Sequence, residues 1–152
     1  MGLLRYYQIN LTELATHVRS IMDRTTAMRI FLVEDSAVLR DRLMLQLAHK
    51  RNAEVIGSAD DATGAIEQIQ RLNPDLVILD IRLRQGNGYQ VLKSIKTRGK
   101  PPTILVLTNF PYPQYREVFL ANGAEYFFDK STEFDSAMDC LTRLLEQKQD
   151  GH

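Results

Sequence analysis

From residue 29 onward, short apolar runs alternate with stretches in which apolar residues recur every three or four positions. The runs are "RIFLV" (29–33), "AEVIGSA" (53–59), "DLVIL" (75–79), "TILVL" (103–107) and "EYFF" (125–128). They predict strands. The third and fourth are continuously apolar, as expected for strands covered on both faces. Between them the spacing becomes helical. Leu39, Leu43 and Leu47 follow Ser36, and Ala65, Ile66 and Ile69 lie between Asp61 and Asn73-Pro74, a start signal and a stop signal. Tyr89, Leu92, Ile95 and Lys96 follow "QGNG" and end before Gly99. Tyr115, Val118 and Phe119 run to Asn122-Gly123, a glycine C-cap. Phe134, Ala137, Met138, Leu141 and Leu145 form the last stripe.

Strand-helix repeats of this kind predict an α/β fold with a parallel sheet and right-handed crossovers. The 29–149 stretch has the length of a flavodoxin-like doubly wound domain, five strands in the order 2-1-3-4-5 with helices on both faces. The expected division is an N-terminal extension (1–27), a domain (28–149) and a tail (150–152). In the extension Asn10 is a candidate cap, with Glu13 at the capping-box position, for a helix over 11–22. Leu11, Leu14, Ala15, Val18 and Ile21 share one face of that helix. This stripe is expected to pack on the domain or on a second copy, so a homodimer is one expected outcome. Met28 begins "MRIFLVEDS", and residues 1–27 are open to the reading that they precede the native start.

Composition narrows the function. Lys plus Arg (19) balances Asp plus Glu (19), which gives no reason to expect nucleic acid or an anionic membrane as a direct partner. No run reaches the length of a membrane span, and the N-terminus lacks the pattern of a secretory signal. One cysteine, Cys140, can form neither an internal disulfide nor a thiolate metal site, and a cytoplasmic location is expected.

The chemistry lies at the strand ends. The first strand runs straight into Glu34-Asp35, the third into Asp80, the fourth into Thr108, and Lys130 follows the fifth by two residues. In a parallel sheet these ends share one edge. The 2-1-3-4-5 order places the acidic pair and Asp80 across the crevice where the chain reverses direction. Carboxylates crowded together raise one another's pKa, and three of them converge without strain only around a cation. All-oxygen ligation favours Mg²⁺. Lys130 adds a compact positive charge for an anion joining the metal, and Thr108 adds a hydroxyl donor. Singly, each has an ordinary explanation: Asp35 or Ser36 as a helix cap, Asp80 as a turn residue, Thr108 as a loop threonine, Lys130 as a solvated lysine. Asp60-Asp61 at the end of the second strand is the internal control. It lies off the crevice, so capping is the expected role there.

In their order and spacing, "FLVEDS", "PDLVILDIRLRQGNGYQVLKSIK", "ILVLTN" and "GAEYFFDKS" resemble the receiver domain of bacterial two-component response regulators. The resemblance implies that Asp80 accepts a phosphoryl group from a histidine kinase or a histidine phosphotransfer protein. It implies that Glu34, Asp35, Asp80 and the main-chain carbonyl of Arg82 serve Mg²⁺. Thr108 and Lys130 would contact the phosphoryl group, and Phe127 would be the aromatic switch. The 112–145 face would then change for an unknown downstream protein. The chain is expected to be a stand-alone receiver without an output domain, a phosphoacceptor switch and not an enzyme in the ordinary sense.

Three positions depart from that pattern. Phe127 stands where tyrosine is frequent, Ser131 where proline follows the lysine, and Asn109 where a small residue follows the threonine. A flavodoxin reading fails because Glu34-Asp35 would repel a flavin phosphate. A haloacid-dehalogenase-type phosphatase needs an aspartate where Arg82 stands. A phosphorylation-independent docking module on the same fold is the remaining alternative.

Overall fold

The computed structural model describes residues 10–151. The elements are α1 (Leu11–Thr26), β1 (Met28–Val33), α2 (Ala37–Ala48), β2 (Ala53–Ala59), α3 (Ala62–Leu72), β3 (Leu76–Leu79), α4 (Gly88–Lys96), β4 (Thr103–Thr108), α5 (Pro113–Ala121), β5 (Tyr126–Asp129) and α6 (Phe134–Asp150). The strands form one parallel sheet in the order β2-β1-β3-β4-β5, as the sequence predicts.

Alternation along the strands divides the core in two. Phe31, Val33, Val77, Leu79, Ile104 and Val106 point to one face and pack with α3, α4 and α5. Ile30, Leu32, Leu76, Ile78, Leu105 and Leu107 point to the other and pack with α2 and α6. Successive strand side chains face opposite ways. A run that is apolar at every position therefore needs helices on both sides.

The helix ends follow their local chemistry. Ser36 accepts from Leu39 N–H and Asp61 from Gly64 N–H, so each caps its helix. Asn87 and Gln90 make a reciprocal capping box at α4. Asn73 ends α3 in the left-handed region (φ 48°). Gly123 (φ 109°) follows α5 as a glycine C-cap.

Several boundaries differ from the sequence reading, and β1 and β4 each run one residue longer than expected, to Met28 and Thr108. β3 starts at Leu76 because the Asp75 carboxylate turns aside to accept from Arg29 N–H (2.8 Å) and Lys148 (2.7 Å). β5 covers 126–129, since Glu125 is occupied with Ile104 N–H and the Lys96 amine. α1 continues beyond residue 22 to Thr26, and Asn10 caps it by accepting from Thr12 N–H.

Candidate functional site

Parallel pairing sets the chemistry. Val33 pairs with Leu79, and Leu79 with Val106, so the residues that follow β1, β3 and β4 emerge side by side. Backbone links extend past the strands: Asp80 N–H donates to Val33 O (2.9 Å) and Lys130 N–H to Thr108 O (2.8 Å). Gly88 makes the fold around Asp80 possible, because a Cβ there would collide with the Asp80 carbonyl oxygen.

Four polar residues sit in the otherwise apolar interior of the described chain: Glu34, Asp80, Thr108 and Lys130. All four are sequence-predicted site residues. The Lys130 amine donates to Glu34 Oε2 (2.8 Å) and to Asp80 Oδ2 (3.0 Å), which joins β1, β3 and β5 through one ammonium. The other oxygens also have donors: Glu34 Oε1 accepts from Ser36 N–H and Asp80 Oδ1 from Ile81 N–H. Thr108 Oγ1 accepts from Phe110 N–H (3.0 Å), which leaves its hydroxyl hydrogen as a donor.

Burial is the largest influence on Glu34 and pushes its carboxyl up to about 7. The Lys130 hydrogen bond opposes that rise, and the Asp80 charge adds to it. Asp35 differs from Glu34 in being exposed at the mouth. Carboxylate oxygens of Glu34, Asp35 and Asp80 all come within 4.8 Å of one another, an all-oxygen donor set that fits a hard divalent ion such as Mg²⁺.

Phe127 is buried and lies edge-on to Phe119 (6.2 Å), which meets Tyr89 the same way (6.0 Å). The Arg116 guanidinium lies 5.0 Å from the Phe127 ring centre and pairs with Glu133. The side chain of Arg82 stacks on Phe110 at 3.9 Å. Two of the three departures, Asn109 and Ser131, touch each other: Ser131 Oγ donates to Asn109 Oδ1 (3.3 Å), tying the loop after β4 to the loop after β5.

Sequence reasoning missed three contacts around the site. Arg40 donates to Glu34 O (2.7 Å), Arg116 covers Phe127, and Ile81 N–H holds Asp80. The first two are helix arginines with nothing in their spacing to mark them, and the third is a backbone group that every residue but proline carries.

Comparison with known proteins gives a single family. A model of the response regulator receiver domain matches residues 30–142. The sensory transduction protein LytT of Bacillus cereus is 30% identical over 123 residues, 80% of this chain and 49% of that protein. A protein-glutamate methylesterase/protein-glutamine glutaminase of Koribacter versatilis is 37% identical over 83 residues, 55% of this chain and 23% of that one. The chain thus spans about half the length, or less, of these relatives. Among solved structures, the response regulator domain of Thermotoga maritima CheB aligns with TM-score 0.71 and 26% identity, covering 82% of this chain and 97% of its own.

Proposed function

This chain belongs to the response regulator receiver domain family, and on that premise we propose that it is a phosphorylation-dependent switch of a two-component system with Asp80 as phosphoacceptor. The observation that carries this reading is the buried Lys130 ammonium bonded to both Glu34 and Asp80. A buried lysine between two carboxylates is costly as a structural device. It is useful where a dianionic group must be received.

Asp80 attacks the phosphorus of a phosphohistidine or a small acyl phosphate. The P–N or P–O bond to the donor breaks, and an acyl phosphate forms on Asp80. Lys130 pairs with the phosphoryl oxygens, and Thr108 donates its hydroxyl hydrogen to one of them. Glu34, Asp35, Asp80 and the Arg82 carbonyl would hold Mg²⁺, which when bound neutralises charge on the same oxygens. Water attack on the phosphorus later returns the Asp80 carboxylate and releases phosphate.

Within this reading residues 28–149 form the receiver, 1–27 the extension and 150–152 the tail. The donor is a histidine kinase or phosphotransfer protein, the location is the cytoplasm, and the output is a protein contact on the 112–145 face. There Phe127 moves with Thr108, and Arg116 travels with the ring. The switch is not an enzyme acting on a separate substrate, and it needs no direct nucleic-acid or membrane contact.

Mass spectrometry after treatment with a small acyl phosphate and Mg²⁺ tests the assignment. The chain should gain one phosphoryl group, and Asp80→Asn none, because the amide is nearly isosteric but a poor nucleophile. Equal labelling of Asp80→Asn, or labelling unchanged in excess chelator, would overturn it. A folded chain that never labels would leave the docking-module reading.

A further inference from the structure

α1 stands out because none of its described side chains joins the buried core. Every side chain from Asn10 to Met22 is exposed. That includes Leu11 at 81% and Leu14, Val18 and Ile21 at 44–50%. The polar side of the helix, with Thr16, Arg19 and Ser20, borders a groove shared with Arg51 and Glu54 of the domain. The apolar side turns away from it. A helix of 16 residues draws most of its stability from packing one face, and Leu11, Leu14, Val18 and Ile21 stay exposed among the described residues.

We propose that α1 pairs antiparallel with α1 of a second copy of this chain. The spacing is self-complementary: Leu11, Leu14, Val18 and Ile21 are separated by three, four and three residues, which reads the same from either end. In an antiparallel pair Leu11 of one copy meets Ile21 of the other, and Leu14 meets Val18, as in a coiled-coil seam.

Charge selects the orientation and the occupant. On a helical wheel Glu13 and His17 fall on one flank of the stripe and Arg19 on the other. A parallel pair would set Arg19 beside the second copy's His17, whereas an antiparallel pair sets Glu13 beside it. Acidic and basic residues balance along the helix, which lacks the basic polar face of a membrane-surface helix.

α1 enters β1 at Met28, at the opposite end of the strand from Glu34, so pairing leaves the Asp80 crevice open. The seam from Leu11 to Ile21 is about 15 Å long. That is short for a permanent interface, so association rises with concentration.

Sedimentation equilibrium of the full chain from about 10 µM to about 1 mM tests the proposal. Mass should climb toward twice the monomer. The Leu14→Glu/Val18→Glu variant should associate at least about tenfold more weakly, because glutamate keeps the helix but charges the seam. Its Asp80 should still label, which shows the domain to be folded. A short bis-maleimide should join Leu11→Cys chains to Ile21→Cys chains and should not join Leu11→Cys chains to each other. A chain that stays monomeric throughout, a dimer indifferent to the two glutamates, or Leu11→Cys self-linkage would each overturn the proposal. So would preferential sedimentation of the wild-type chain with anionic vesicles.

Discussion

Glu34-Asp35 follows β1 and Asp60-Asp61 follows β2, two adjacent acidic pairs at the same edge of the same sheet. Their surroundings are opposite. Glu34 is buried against Lys130 and Asp80, and its carboxyl is pushed up to about 7. Asp60 is bonded by the Arg84 guanidinium in solvent, which holds its carboxyl below the usual range. Asp61 caps α3 and also meets Arg84. β1 lies beside β3, so its acidic pair looks across the crevice at Asp80, while β2 is the edge strand and its acidic pair meets the start of α3 and Arg84. Place in the topology, more than acidity, separates a site from a cap.

The sharpest break of that comparison is metal dependence. Asp35→Asn should weaken Mg²⁺ binding on the order of a hundredfold, the upper end of what is lost when even an indirect support of a ligand is removed. Asp61→Asn should leave binding within the error of a calorimetric titration. If Asp35→Asn bound Mg²⁺ as wild type does, the two pairs would be equivalent and the donor set misassigned.

Proton linkage separates the pairs next. Mg²⁺ takes the carboxylate form, so with Glu34 near 7 the metal must displace a proton below that pH. Apparent affinity should fall about tenfold from pH 8 to pH 6. Titrations in two buffers of different ionisation enthalpy should detect proton release near pH 7. Asp60, held low by Arg84, contributes nothing in this range. In the metal-free chain the dependence on pH runs the other way. A carboxyl raised from 4.5 stabilises the folded state fully below pH 4.5, and that contribution is lost as pH rises through about 7. An affinity flat between pH 6 and 8 would remove Glu34 from the donor set.

What the sequence shows and hides follows from range. β1, β3 and β4 are legible because each is a continuous apolar run, and Glu34, Asp80, Thr108 and Lys130 are legible because they sit at or just past strand ends. The sheet order then does the rest. The buried Lys130 bridge, the Arg82–Phe110 stack and the Asn109–Ser131 bond join residues far apart in the chain through loops, where spacing says nothing of direction. The 11–22 stripe was legible as amphipathic. That the domain leaves it bare is a fact of how α1 departs from β1.

A smaller effect concerns how long Asp80 stays modified. Arg82 and Phe110 follow Asp80 and Thr108 by two residues each, and their stack is a slab of side chain with no base or amide to orient a water. Loss of the phosphoryl group should therefore be slow. Replacing both with serine should speed it several-fold, within the ten- to a hundredfold reach of indirect supports of a site. An unchanged half-life in the double variant would show that the stack does not shield the phosphorus.

The smallest effect falls on the control pair and explains why the β1 pair is available for chemistry. After β2 the capping group is Asp61 itself, bonded to Gly64 N–H at 2.6 Å. After β1 the same task goes to Ser36, one residue beyond the acidic pair, through Leu39 N–H. The serine satisfies the α2 terminus and leaves Glu34 and Asp35 without that duty. Each cap is therefore local: Asp61→Ala and Ser36→Ala should each cost about 1 kcal/mol of folding stability in urea unfolding. Neither change should reach phosphoryl acceptance. Asp61→Ala should label at the wild-type rate. Ser36→Ala keeps the main-chain N–H that holds Glu34 Oε1, so it should label nearly as well. A labelling defect in Asp61→Ala larger than its stability loss explains would draw the β2 pair into the site and erase the distinction between them.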